Sequence, residues 1–111
     1  MLLALAQPAE AGFISFGPSR DKDGNGKAEI YAIYILPEFW NQGIGRELLE
    51  EAERRVADNN FTAITLWVLE KNVLARRFYD SRGFHLDEGQ KAETIGGLKL
   101  TELRYEKRYQ I

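Results

Sequence analysis

The stretch Pro37-Glu38-Phe39-Trp40-Asn41-Gln42-Gly43-Ile44-Gly45-Arg46 joins two runs of different periodicity. Before it, residues 29–36 are rich in Ile and Tyr and stop at Pro37, as a buried strand ended by proline does. After it, Ile44, Leu48, Leu49, Ala52 and Val56 recur at three- and four-residue intervals, with Glu47, Glu50, Glu51, Glu53, Arg54 and Arg55 between them. That spacing predicts an amphipathic helix over 43–57, ended near Asn59-Asn60. A strand, a glycine-containing loop and a helix in this order make an anion site. Glycines let the backbone approach a ligand and turn its amides inward. The first N–H groups of the helix lack intrahelical partners, and its dipole adds partial positive charge there. A phosphate or pyrophosphate is the natural occupant, and Arg46 adds a formal charge in the first turn.

Taken alone, Gly43-x-Gly45 reads equally well as an ordinary helix start. It is not a P-loop, because no Gly-Lys-Ser/Thr follows. Nor is it a dinucleotide fingerprint, because Leu48 stands where the third glycine belongs.

Outward from this segment, residues 2–6 and 13–16 are short apolar runs around a turn, which predicts two antiparallel strands. Residues 17–26 read as a polar loop. Residues 62–69 are β-branched and aromatic, a strand. A second helix is expected over 72–81, with Asn72 as N-cap and Gly83 as its stop. Strands at 84–86 and 98–109 complete the order β-β-β-α-β-α-β-β. The expected fold class is therefore α/β (α+β), one domain over 1–111 with a mixed, mostly antiparallel sheet containing a parallel β-α-β unit.

The second helix carries Asn72-x-x-Ala75-x-x-Phe78-Tyr79-x-x-x-Gly83-Phe84. With Gly43 and Gly45, this pattern resembles the GNAT superfamily of acetyl-CoA-dependent N-acetyltransferases, over roughly residues 11–108. The resemblance implies the acyl-CoA N-acyltransferase fold, with acetyl-CoA as cosubstrate and an amine as acceptor. It implies that Ile33, Tyr34 and Ile35 offer their backbone to the pantetheine arm. The amides of Gln42, Gly43, Ile44, Gly45 and Arg46 would hold the pyrophosphate, and Asn72 would bond the cofactor arm. Tyr79 matches the tyrosine that protonates the departing thiolate. Glu29 lies eleven residues before Trp40, the spacing of the catalytic glutamate in histone-type members, and is the candidate base. A carboxylate held partly out of water is the better proton acceptor; a solvated strand-end glutamate, with a water chain as base, is the alternative. Trp40 departs from the family pattern, which has Gln or Arg there, and Asn41 or Gln42 is expected to compensate. Trp67 and Phe61 are expected in the core, and His85 carries no role.

Composition limits the other possibilities. With 44% hydrophobic and 29% charged residues in 111, the chain suits one soluble domain. Fifteen basic against seventeen acidic residues give a net charge of −2, which offers no footprint for nucleic acid or an anionic membrane. There is no cysteine, so disulfides and zinc–thiolate sites are excluded, and no metal is expected. Residues 1–6 are too short for a secretory signal and lack a basic lead, so the expected location is cytoplasmic.

Asp21-Lys22-Asp23-Gly24-Asn25-Gly26 looks like the start of a calcium loop, but position twelve is Ala32 where a bidentate Glu is required. A polar hairpin turn is the simpler expectation. The chain begins at the first hairpin, without the strand and two helices that usually precede it in the family. A truncated chain, a minimal member or a completing partner would each account for that. Exposed apolar surface would then favour a homodimer. A non-catalytic acyl-CoA-binding domain is the alternative function.

Overall fold

A computed structural model describes residues 2–109. The elements are β1 (Leu2–Leu5), β2 (Gly12–Pro18), β3 (Ala28–Ile35), α1 (Ile44–Asp58), β4 (Ala63–Leu69), α2 (Val73–Ser81), β5 (His85–Ile95) and β6 (Leu98–Arg108), with 3-10 turns at Ala9–Ala11 and Pro37–Phe39. The strands form one sheet in the order β1-β2-β3-β4-β6-β5. Among the described residues only β3 and β4 are parallel neighbours; the other pairings are antiparallel. This is the mixed α+β architecture that the alternation of elements predicts.

Period-two patterning sends Ile64, Leu66 and Val68 of β4 to one face, where Tyr105 of β6 and Ile14 and Phe16 of β2 join them in the core. The apolar stripe of α1 closes over that face: Ile44, Leu48, Leu49, Ala52 and Val56 are all buried. At this burial each large aliphatic side chain contributes about 1.5–3 kcal/mol of hydrophobic stabilisation. Helix α2 begins where Asn72 Oδ1 accepts from Ala75 N at 3.2 Å, and Gly83 leaves it in the left-handed region at φ +88°.

Strand β5 differs from the expectation of a three-residue strand at 84–86. It runs eleven residues, with an irregularity between Leu86 and Gln90, and pairs with β6 along most of its length. Nearly every residue in it is exposed or half-buried. It therefore carries no apolar alternation to detect; its backbone ladder with β6, rather than a buried face, makes it a strand.

Candidate active site

The geometry that matters is a parting of strands. The parallel ladder between β3 and β4 holds at Ala28↔Ile64, Glu29↔Thr65 and Ile30↔Leu66, and there it ends. The residues of β3 beyond Ile30 pair only with β2. The cause lies in β3 itself. Ser15 of β2 pairs with Ala32 while Phe16 pairs with Ile30, so Tyr31 is the extra residue of a β-bulge. A bulge bends its strand and raises the local twist. It also resets the side-chain alternation: Ala28 and Ile30 face the core before it, and Ile33 and Ile35 pack against the core after it. Tyr34 is left half-exposed on the other face.

Two helix N-termini flank the opening. At the end of β3, Asn41 (φ +63°) and Gly43 (φ +79°) are both left-handed. Gly43 is the N-cap of α1 and provides no side-chain cap. Glu47 N makes the first helical bond, to Gly43 O, so the amides of Ile44, Gly45 and Arg46 precede the ladder. A cavity of about 310 Å³ sits against this loop and includes Ile35, Trp40, Gly43, Gly45, Arg46 and Phe78 in its lining. Gly45 sits in a tight spot: a Cβ there would lie 3.2 Å from Ile35 Cδ1 and 3.4 Å from Phe78 Cζ, so those side-chain ends would have to give by a few tenths of an ångström. Arg46 is half-exposed, and its guanidinium lies loosely, 3.9 Å from Glu50. These residues have the chemistry to hold a pyrophosphate: unpaired first-turn amides, a helix dipole and the half-exposed Arg46 guanidinium stand together beside two glycines. At the end of β4, Asn72 caps α2 and lines a second cavity, of about 530 Å³, with Leu69, Glu70, Lys71, Lys99, Leu100 and Thr101.

Trp40, the departure from the family pattern, folds back on the strand and donates from Nε1 to Ile35 O at 2.8 Å. One carbonyl at the end of β3 is therefore already satisfied within the protein. Gln42 is spent locally, donating from Nε2 to Glu38 O at 3.2 Å.

Tyr79 is buried within the core cluster, edge-on to Phe78 and Phe84 with ring centroids 5.4 and 5.8 Å away, and tilted against Tyr105. Burial pushes its phenol up to about 12, so it holds its proton throughout the neutral range. Its chain neighbour Phe78, not Tyr79 itself, lines the loop cavity.

Glu29 lies on the opposite face of the sheet and is 1% exposed. Its Oε1 accepts from Arg20 N at 2.9 Å and its Oε2 from Arg20 Nη2 at 2.8 Å. That bond raises the pKa of the Arg20 guanidinium and keeps it cationic. Beside Glu29, Tyr31 and Trp67 line a cavity of about 450 Å³. Trp67 is thus not a core residue as expected. The alternation of β4 puts Thr65 and Trp67 on the face away from the helices, and Trp67 Nε1 donates to both oxygens of Asp21. That same period-two pattern was the available signal. Phe61 does pack against the core, and His85 is an exposed residue opening β5.

The calcium-like loop has another occupation. Arg104 of β6 donates to Asp21 at 3.3 Å, to Asp23 at 2.7 and 2.8 Å, and to Asp87 at 2.8 and 3.0 Å. Among the described residues no group of three or more His, Cys, Asp or Glu side chains is placed to hold a metal ion. No helix there is long and apolar enough to cross a membrane.

The sequence model of the Acetyltransferase (GNAT) family matches residues 3–84. The chain is 41% identical over 61 residues to the uncharacterized N-acetyltransferase YuaI of Bacillus subtilis, a match covering 55% of this chain and 35% of that protein. Its fold resembles the ribosomal-protein-alanine N-acetyltransferase of Brucella melitensis with a TM-score of 0.77, at 22% identity, covering 89% of this chain and 62% of that one. It also resembles the PaiA N-acetyltransferase of Thermoplasma acidophilum in complex with coenzyme A, with a TM-score of 0.69 at 28% identity, covering 89% and 54%. The chain therefore spans about a third of the Bacillus relative and between a half and two thirds of these two structures.

Proposed function

The chain belongs to the acetyltransferase (GNAT) family, and on that premise we propose that it transfers an acetyl group from acetyl-CoA to a primary amine of a small molecule or peptide. The observation that carries this reading is the parting of β3 and β4 after Ile30 and Leu66, flanked by the uncapped N-terminus of α1. A cofactor arm fits between strands that have stopped bonding each other, its phosphates against amides that have no other partner. The structure from Thermoplasma acidophilum, in complex with coenzyme A, supports a coenzyme A thioester as the cosubstrate here.

In this reading the backbone of Ile33, Tyr34 and Ile35 meets the pantetheine arm. The amides of Gln42, Gly43, Ile44, Gly45 and Arg46 hold the pyrophosphate, and Asn72 adds a polar contact beside its capping bond. The amine nitrogen attacks the thioester carbon; Glu29 takes the amine proton, and Tyr79 returns a proton to the sulfur as the C–S bond breaks. Each transfer by a positioned group contributes about 10²–10⁴-fold. The acceptor then approaches from the face of Glu29, Tyr31 and Trp67, opposite the helices. Residues 1–111 form one acetyltransferase domain in this account, working in the cytoplasm as a homodimer. The exposed Leu2, Leu3 and Leu5 of edge strand β1 supply apolar surface for that pairing.

Thiol release from acetyl-CoA in the presence of a panel of primary amines tests the proposal. Acceptor-dependent release supports an enzyme. Acetyl-CoA binding without release for any amine in the panel supports an acyl-CoA-binding domain instead.

A further inference from the structure

We propose that Arg20 is a positioning residue for Glu29, and that the Asp21/Asp23 loop, anchored on Arg104, exists to hold it in place. The inference rests on Glu29 acting as the base. A buried carboxylate needs partners, and a single residue supplies both of them: the backbone N of Arg20 binds Oε1 and its Nη2 binds Oε2. Two bonds from one residue fix the plane of the carboxylate and leave a lone-pair site free on each oxygen. The Arg20 side chain is otherwise largely in solvent, 65% exposed, with its guanidinium 4.2 Å above the Tyr31 ring. Nothing in the core demands an arginine there; its one buried contact is Glu29.

What holds residue 20 is the loop that imitates a calcium site. Ser19 N bonds Lys27 O, and Asp21 N bonds Ser19 Oγ, closing the turn on either side of Arg20. Asp21 and Asp23 then take the guanidinium of Arg104, which is itself 11% exposed and gripped from β5 by Asp87. The carboxylates of the loop are thus spent on β6, a strand paired on both sides between β4 and β5, and the Arg20 backbone is set by them. The charged and titratable groups sharing the cavity with Glu29 are Arg20, Asp21 and Tyr31, Lys91 and Glu93 from β5, and Glu102 from β6. Of these only Arg20 hydrogen-bonds Glu29.

Arg20→Met keeps the backbone bond to Oε1 and removes the bond to Oε2, so the loop stays closed while the carboxylate loses the partner that fixes its plane. kcat is expected to fall at least about tenfold, and the KM for acetyl-CoA should stay unchanged. Arg20→Lys should bring kcat most of the way back. The side-chain carboxyl carbon resonance of Glu29, recorded at neutral pH on the labelled full chain, should shift in Arg20→Met and reads the contact whether or not the acceptor is known. An unmoved resonance in Arg20→Met overturns the inference. Glu29→Gln separates this failure from that of the reading beneath it. If Glu29→Gln keeps the wild-type kcat, Glu29 is not the base. If it abolishes turnover while Arg20→Met leaves kcat and the resonance in place, Glu29 is the base and Arg20 does not position it.

Discussion

Ile30 and Leu66 are the last pair at which β3 and β4 run hydrogen-bonded side by side. Everything assigned to the site follows from that termination. The bulge at Tyr31 turns β3 away, the β4 side of its far end has no strand partner and only its Ile35 carbonyl is held there, by Trp40, and the loop after it delivers α1 with its first amides unpaired. On the opposite face, the same bulge leaves Tyr31 beside Glu29, lining one cavity with Trp67.

Gly43 sits at φ +79°, where a Cβ is strained. Gly43→Ala should cost about 1–2 kcal/mol and weaken acetyl-CoA binding through a shifted amide cradle. Calorimetry on both proteins checks this. Equal thermal midpoints and equal Kd values would show that the left-handed turn is not required.

Tyr79 gives a paired expectation in kinetics and stability. Tyr79→Phe should lower kcat at least about tenfold, the lower end of a general-acid contribution, with acetyl-CoA affinity retained. In stability, the phenol is protonated in both folded and unfolded chains below its ordinary value near 10. Above that, the unfolded chain ionises while the folded one holds the proton to about 12. Stability is therefore fully present below pH 10 and falls through the window from 10 to 12, by on the order of 3 kcal/mol at most. Thermal midpoints measured from pH 9 to 12 should drop more steeply for the wild type than for Tyr79→Phe. Tyr109, also raised by burial, contributes the same fall to both.

Arg104 serves three carboxylates, and its own pKa is raised by them, the hydrogen bond to Asp23 first. Arg104→Met should lower the thermal midpoint by several degrees, because three carboxylates lose their shared cation and Asp21, nearly buried, is left with the looser Lys91 ammonium at 3.6 Å as its cation. Calcium at millimolar concentration should leave the wild-type midpoint where it is, since Asp21 and Asp23 are already engaged. A clear rise with calcium would mean that the loop opens to bind metal.

Much of this was legible in the chain. The five apolar positions of α1 are its five buried residues, and Asn72 caps α2 as its place before the helix implied. The parallel unit followed from a strand, a helix and a strand in sequence. The bulge was not legible: apart from Glu29, residues 28–35 are apolar or aromatic on both sides of Tyr31, so a shift in alternation leaves no mark. Strand β5 escaped because an edge strand held by one backbone ladder needs no apolar face. The partner of Glu29 escaped for a different reason. Arg20 lies nine residues away in a polar loop, and only the closure of that loop on Arg104 brings it back.

Gly12 marks a close approach that makes a last structural test. It pairs with Ile35, and a Cβ there would run into the Tyr34 carbonyl oxygen. Gly12→Ala should displace the free end of β3 and lower both stability and acetyl-CoA affinity. Amide exchange faster than wild type over residues 33–35 reports the displacement; unchanged exchange would show that the strand absorbs the methyl.

The central claim is that the gap between β3 and β4 takes acetyl-CoA, and the thermal midpoint of the protein with and without that ligand tests it most directly. At 100 times its Kd, a ligand bound only to the folded chain adds about 2.7 kcal/mol, a shift of several degrees for a domain of this size. The account predicts that shift, and its reduction in Gly43→Ala. A folded protein whose midpoint does not move with excess acetyl-CoA would contradict it.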